Sequence, residues 1–204
     1  MQNVSTIILD LGGVLLNLDY SLTKKAFADL GVNDFDAYYT QFKASPLFDD
    51  LETGRVTNAD FFDALRHRSG ISLTDDQIAE AWNAMLLDFP TERLAFLEEL
   101  RNRYKVFLLS NTNDIHHQAF QEIFRKATGG KPLDSFFEKA YYSHLIGARK
   151  PETEAFKIII EEQHLDPERT LFIDDTALNL EGAKALGMQT IHLQTPATVE
   201  KLGL

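Results

Sequence analysis

Residues 6–13, TIILDLGG, place the tightest constraint on how this chain folds. Ile7, Ile8 and Leu9 make a continuous apolar run of the kind a strand needs when both its faces are covered. The run ends on an acid, Asp10, followed within three residues by Gly12 and Gly13. A buried carboxylate is costly unless it is paired. Asp10 is therefore expected at the carboxyl end of a strand, facing something that compensates its charge. The two missing side chains let backbone come close. They are expected to make room for metal and substrate and to free a carbonyl.

Three further runs resemble the first strand: VFLLS (106–110), TLFID (170–174) and MQTIHL (188–193), with KAYYS (139–143) a weaker fifth. Helical patterns separate them. TERLAFLEELRNRY (91–104) has Thr91 as its expected N-cap, PETEAFKIIIEEQH (151–164) has Pro151 at its expected first position, and ALNLEGAKALGM (177–188) is expected to stop at Gly187. Alternation of this kind predicts an α/β fold: a Rossmann-like parallel sheet with helices on both faces. Ligands of such sheets bind at the carboxyl ends of the strands.

Residues 21–88 break the alternation. SLTKKAFADLGV, DFDAYYTQFKAS, NADFFDALRHRSG and TDDQIAEAWNAMLL all read as helices, with no convincing strand among them. The expected organisation is a core of residues 1–17 and 89–204 and an inserted α-helical cap of residues 18–88. Phe27, Tyr38, Tyr39, Phe42, Phe61, Phe62 and Trp82 are expected to form the cap's own core. The segment 48–61 reads as a loop that brings Glu52 and Arg55 over the site.

The net charge of −11 argues against nucleic acid as a partner. There is no cysteine, which excludes disulfides and thiolate chemistry and fits the cytoplasm. No apolar run is long enough for a membrane span, and no signal peptide is evident. The expected state is a monomer or small homo-oligomer acting on a small molecule.

Parallel strands would gather Asp10, Ser110, Asp174 and Asp175 at one sheet edge, near Lys150. Three crowded carboxylates repel one another unless a cation intervenes. Oxygen ligands without Cys or His suit a hard divalent ion such as Mg²⁺. Ser110 and the turn after it offer donors to a phosphate, and Lys150 offers a compact positive charge.

The segments DLGGVL, LLSNTN, ARKPE and FIDDTALN, in that order, resemble the four motifs of the haloacid dehalogenase superfamily, and the helical insertion resembles that superfamily's C1-type cap. The resemblance spans nearly the whole chain. It is closest to the branch holding bacterial α-glucose-1-phosphate phosphatases and the amino-terminal phosphatase domain of soluble epoxide hydrolases. It implies a Mg²⁺-dependent phosphatase acting on a small phosphorylated metabolite, with a sugar phosphate as the expected substrate. Asp10 matches the nucleophile that forms an aspartyl-phosphate. Asp10, the carbonyl of Gly12 and Asp175 match metal ligands, with Asp174 in direct contact or one step removed. Asn179 falls where relatives support the metal site. Ser110, Asn111 and Lys150 match the phosphate clamp, and Lys150 also steadies Asp10. Arg55 and His116 are further substrate-binding candidates, and Arg149 is expected at the surface.

One position departs from the pattern. Most phosphatases of the superfamily carry a second Asp two residues after the nucleophile, as acid and base. Here that position is Gly12. General acid–base help is worth about 10²–10⁴-fold. Its loss calls for a good leaving group, for another acid (His116, His117 or Asp19), or for a protein that mainly binds phosphate or regulates. A 2-haloacid dehalogenase is the rival enzyme reading. A signalling receiver domain fits less well, because receivers are shorter and carry their acid pair on the first strand.

Overall fold

The structure is a computed structural model that describes residues 3–33, 35, 39–40, 43–44 and 46–204. Five parallel strands form its sheet: β1 (Thr6–Leu9), β4 (Lys105–Ser110), β5 (Lys139–Tyr142), β6 (Thr170–Asp174) and β7 (Gln189–His192), in the order β5-β4-β1-β6-β7. The α/β architecture read from the sequence is the one observed. β1 is central, and all four of its residues are buried. Successive strand side chains point to opposite faces, and the sheet is accordingly covered twice. Ile7, Leu9, Val106, Leu108, Leu171 and Ile173 pack with α5 (Thr91–Leu100) and α6 (Asp114–Thr128). Ile8, Phe107, Leu109 and Phe172 pack with α8 (Thr153–Gln163) and α9 (Asn179–Ala185). The apolar continuity of β1 follows from having no solvent face.

Register then aligns the strand ends. Leu9 pairs with Leu108 on one side and with Ile173 on the other. The Asp10 N–H continues the ladder by donating to the Ile173 carbonyl at 2.9 Å. Asp10, Ser110 and Asp174 thus finish at the same sheet edge.

Between β1 and α5 lie α1 (Tyr20–Asp29), α2 (Pro46–Glu52), α3 (Asn58–Ser69) and α4 (Asp75–Asn83). Phe27, Phe61, Phe62 and Trp82 are buried together there, with Phe35, Phe48 and Ile115 of α6. Tyr38, Phe42 and the side chain of Tyr39 fall outside the described residues. The two chain segments leading into and out of this insertion are laced together. Asn17 N–H donates to Asp88, Leu87 N–H to Asn17 and Asp19 N–H to Met85, at 2.9–3.0 Å. No described helix is long and apolar enough to cross a membrane.

Several local expectations need correction. The helix expected over 34–45 gives way, at its described positions, to a short antiparallel pair, β2 (Tyr39–Thr40) and β3 (Lys43–Ala44). The loop expected over 48–61 begins instead with α2, whose Phe48, Leu51 and Glu52 are buried. Thr91 is the first helical residue of α5, and the capping position belongs to Pro90. Pro151 precedes α8, which starts at Thr153 because Glu152 is still extended, with ψ 131°.

Gly182 of α9 sits against the carbonyl of Pro151, where an added Cβ would lie 2.1 Å from that oxygen and 2.8 Å from Phe156. Backbone cannot yield as a side-chain tip does. Gly182→Ala is expected to lower stability in urea titrations by about 1–3 kcal/mol, the usual range for overpacking. An unchanged midpoint would show that α8 and α9 separate freely.

Candidate active site

Lys150 organises the sheet edge. The residue is 1% exposed, and its ammonium donates to Asp10 Oδ1 at 2.6 Å and to Asp174 Oδ2 at 2.7 Å. Burial alone would drive its pKa down, but the two carboxylates outweigh burial and the net shift is upward. The backbone of Lys150 is clamped as well. Its N–H donates to Asn111 Oδ1 and its carbonyl accepts from Asn111 Nδ2, both at 2.9 Å. Asn111, just past β4, therefore fixes the loop that carries the lysine.

Asp10, Asp174 and Asp175 bring carboxylate oxygens within 4.8 Å of one another. Burial pushes the Asp10 carboxyl well above the usual range; Asp174 and Asp175 add to this, and Lys150 opposes it. Burial, then Asp174, raises Asp175 too. Lys150 offsets one of the three charges, and a divalent cation would offset the other two. The oxygen-only donor set suits a hard ion.

The three acids differ in what they have left to offer. Asp174 is fully buried, and its oxygens accept from Lys150, from Thr176 N–H at 2.8 Å and twice from Asn179 Nδ2 at 3.0 and 3.1 Å. That accounts for about all the lone-pair sites a carboxylate has. Asp175 accepts from Thr176 Oγ1, at 3.1 Å on Oδ1, and its Oδ2 points at Gly13. Gly13 has φ +72°, and a Cβ there would lie 2.1 Å from that oxygen. The room expected from the glycines is thus made at Gly13, for Asp175. At Gly12 it is already taken, since a Cβ would meet Leu18 Cδ1 at 2.6 Å.

A recess adjoins the carboxylates, lined among others by Gly12, Leu18, Tyr20, Glu52, Ser110 and His116. Ser110 is buried at the end of β4, and Asn111 also reaches the recess wall. His116 stacks on Trp82 and bonds Asn83 Oδ1 through Nδ1 at 2.8 Å, while its buried Nε2 has no hydrogen-bond partner among the described residues. Burial lowers its pKa to about 3, so the ring is neutral.

Other sequence candidates lie elsewhere. Arg55 is exposed and pairs with Asp50 at 3.2 Å, away from the recess. Asp19 caps α1, accepting from Ser21 N–H at 2.9 Å. His117 faces Gln121 and His144, and its neighbour Asp114 already accepts from Asn58 and Gln118. Arg149, expected at the surface, is instead half-buried between Asp49 and Glu52 of α2. Two residues that the sequence reading did not connect with the carboxylates are Arg149 and Tyr20. Burial, then Asp175 and Asp10, raises the Tyr20 phenol, so it stays protonated. Only its position at the start of the insertion, ten residues beyond Asp10, pointed to it.

Comparison with known proteins places this parallel sheet and its converging acids in a class of hydrolases. A family profile for haloacid dehalogenase-like hydrolases matches residues 4–187, and the chain belongs to that family. Among its relatives is a D-ribitol-5-phosphate phosphatase of Bacteroides thetaiotaomicron, 32% identical over 95% of this chain and 94% of that protein. Among solved structures, a haloacid dehalogenase family enzyme of the same organism, a variant in complex with magnesium and inorganic phosphate, has a TM-score of 0.90. It is 36% identical, with 95% of each chain covered. A HAD-like family hydrolase of Porphyromonas gingivalis has a TM-score of 0.84 and 36% identity, covering 93% of this chain and 90% of that one.

Removing one member of a buried charge cluster leaves the others uncompensated. Lys150→Met is expected to cost about 3–5 kcal/mol in chemical denaturation with EDTA present. A loss below about 1 kcal/mol would mean that Asp10 and Asp174 do not depend on the ammonium.

Proposed function

We propose that the protein is a Mg²⁺-dependent phosphatase of a small phosphorylated metabolite, of the sugar or sugar-alcohol class. The observation that carries this reading is the convergence of Asp10, Asp174 and Asp175 within 4.8 Å around the ammonium of Lys150. The ribitol phosphate phosphatase and the magnesium–phosphate complex among the relatives support it.

In this reading Asp10 attacks phosphorus, the bond to the leaving oxygen breaks, and an aspartyl-phosphate forms that water then opens. Lys150 holds Asp10 in place and, with the Ser110 hydroxyl and Asn111, receives the phosphate. Asp10, the Gly12 carbonyl and Asp175 would hold the ion. Asp174, its oxygens already engaged, orients Lys150 from outside the ligand set. When bound, Mg²⁺ neutralises charge on the phosphoryl oxygens. Residues 18–88 act as a cap over a core of residues 1–17 and 89–204, because Leu18, Tyr20, Glu52, Met85 and Leu86 wall the recess opposite Ser110. Arg55 joins the substrate site only if the cap moves, since it lies outside the recess.

A dehalogenase would attack carbon without a metal and would leave the crowding of Asp175 unexplained. Asp10→Asn is expected to reduce phosphate release from sugar and sugar-alcohol phosphates by at least about 10⁴-fold, with the circular dichroism spectrum unchanged. EDTA should abolish the wild-type rate and Mg²⁺ restore it. Phosphatase activity retained by Asp10→Asn would remove the covalent route, and a rate indifferent to EDTA would favour the dehalogenase.

A further inference from the structure

We propose that Glu52, at the carboxyl end of α2, is the acid and base of the reaction, in place of the missing carboxylate at Gly12. The proposal rests on the phosphatase reading above. The usual position for such an acid carries none here: residue 12 is a glycine, with the tip of the Leu18 side chain beside it. The acid must therefore enter from another wall of the recess that Gly12, Ser110 and Tyr20 share.

Glu52 is the carboxylic acid on that wall. It is 9% exposed, and its Oε2 is buried and accepts no hydrogen bond among the described residues. The Arg149 Nη2 stands 3.0 Å from Oε2 but out of hydrogen-bonding line. Paired in charge with a guanidinium but without a hydrogen bond in line, that buried oxygen can still take up a proton or meet a ligand. The groups facing it are Arg149 and Lys150 from the core, Asp49 on its own helix, and Tyr20 and His116 across the recess. Burial pushes the Glu52 carboxyl up to about 7 against the pull of Lys150, while the Arg149 guanidinium at 3.0 Å favours the carboxylate, so the two forms compete near neutrality.

The competing acids fail on geometry or state. His116 is neutral, and a neutral imidazole is a poor donor of a catalytic proton. Asp19 caps a helix, and His117 lies outside the recess. The Tyr20 phenol holds its proton too tightly to give it up.

The steps balance with Glu52 alone. As Asp10 bonds to phosphorus and the P–O bond to the alcohol breaks, the Glu52 proton passes to the departing oxygen and releases the free alcohol. Arg149 stabilises the carboxylate that results. That carboxylate then takes a proton from the water that attacks phosphorus. The P–O bond to Asp10 breaks, inorganic phosphate leaves, and Glu52 is protonated again.

The test compares Glu52→Gln with wild type on two Mg²⁺-loaded reactions, p-nitrophenyl phosphate with its good leaving group and ribitol 5-phosphate with a poor one. For Glu52→Gln, kcat on the alkyl phosphate should fall about 10²–10⁴-fold, and on the aryl phosphate by less than about tenfold. The wild-type alkyl rate should decline above pH about 7, where the acid loses its proton, and Glu52→Gln should lack that limb. Glu52→Asp, which keeps an acid, should recover part of the alkyl rate. Equal losses on both substrates, or a preserved alkaline limb, would overturn the role and leave Glu52 a structural partner of Arg149. A wild type that cleaves neither ester would overturn the phosphatase reading and this role with it.

Discussion

The fold's chemistry depends on one buried ion cluster, the ammonium of Lys150 between Asp10 and Asp174. Taking such charges out of water costs several kcal/mol per ion. The cost is tolerable because each member is held by more than its charge partner: Lys150 by the paired bonds to Asn111, Asp10 by the ladder bond to Ile173, Asp174 by Asn179 and Thr176. Those bonds join the ends of β1, β4 and β6 to the loop before α8. The edge proposed as catalytic and a structural knot are therefore the same set of atoms. The incomplete compensation of Asp10 and Asp175 is what makes that edge ready for a cation.

Much of this was legible in the sequence because it is local or periodic. The strands announce themselves as apolar runs, and sheet parallelism then forces Asp10, Ser110 and Asp174 to a common edge whatever the details of packing. The glycines were legible as a need for space. Which space each one served was not, since Leu18 and Asp175 reach Gly12 and Gly13 only after folding. Arg149 read as a surface residue for the same reason. Its partners Asp49 and Glu52 are about 100 positions away in the chain, on a helix that the acid-rich, glycine-ended stretch 48–54 did not suggest. The strand pair at 39–44 lies in a segment whose aromatics fit a helical spacing equally well. Short elements of this kind are decided by tertiary contacts, not by propensity.

Arg149 and Lys150 are neighbours on one peptide, yet they serve opposite sides of the recess. Lys150 reaches back into the core to Asp10, while Arg149 reaches up to α2 of the insertion. The insertion cannot shift at α2 without pulling on the residue next to the lysine that steadies Asp10. Conversely, the charge on Glu52 sets how strongly Arg149 holds α2 down: a carboxylate binds the guanidinium, a protonated acid much less. The seating of α2 and the charge on Glu52 thus meet at the Arg149 guanidinium. With Glu52 as the proposed proton donor, the acid sits on the insertion and is in place only when the insertion is seated.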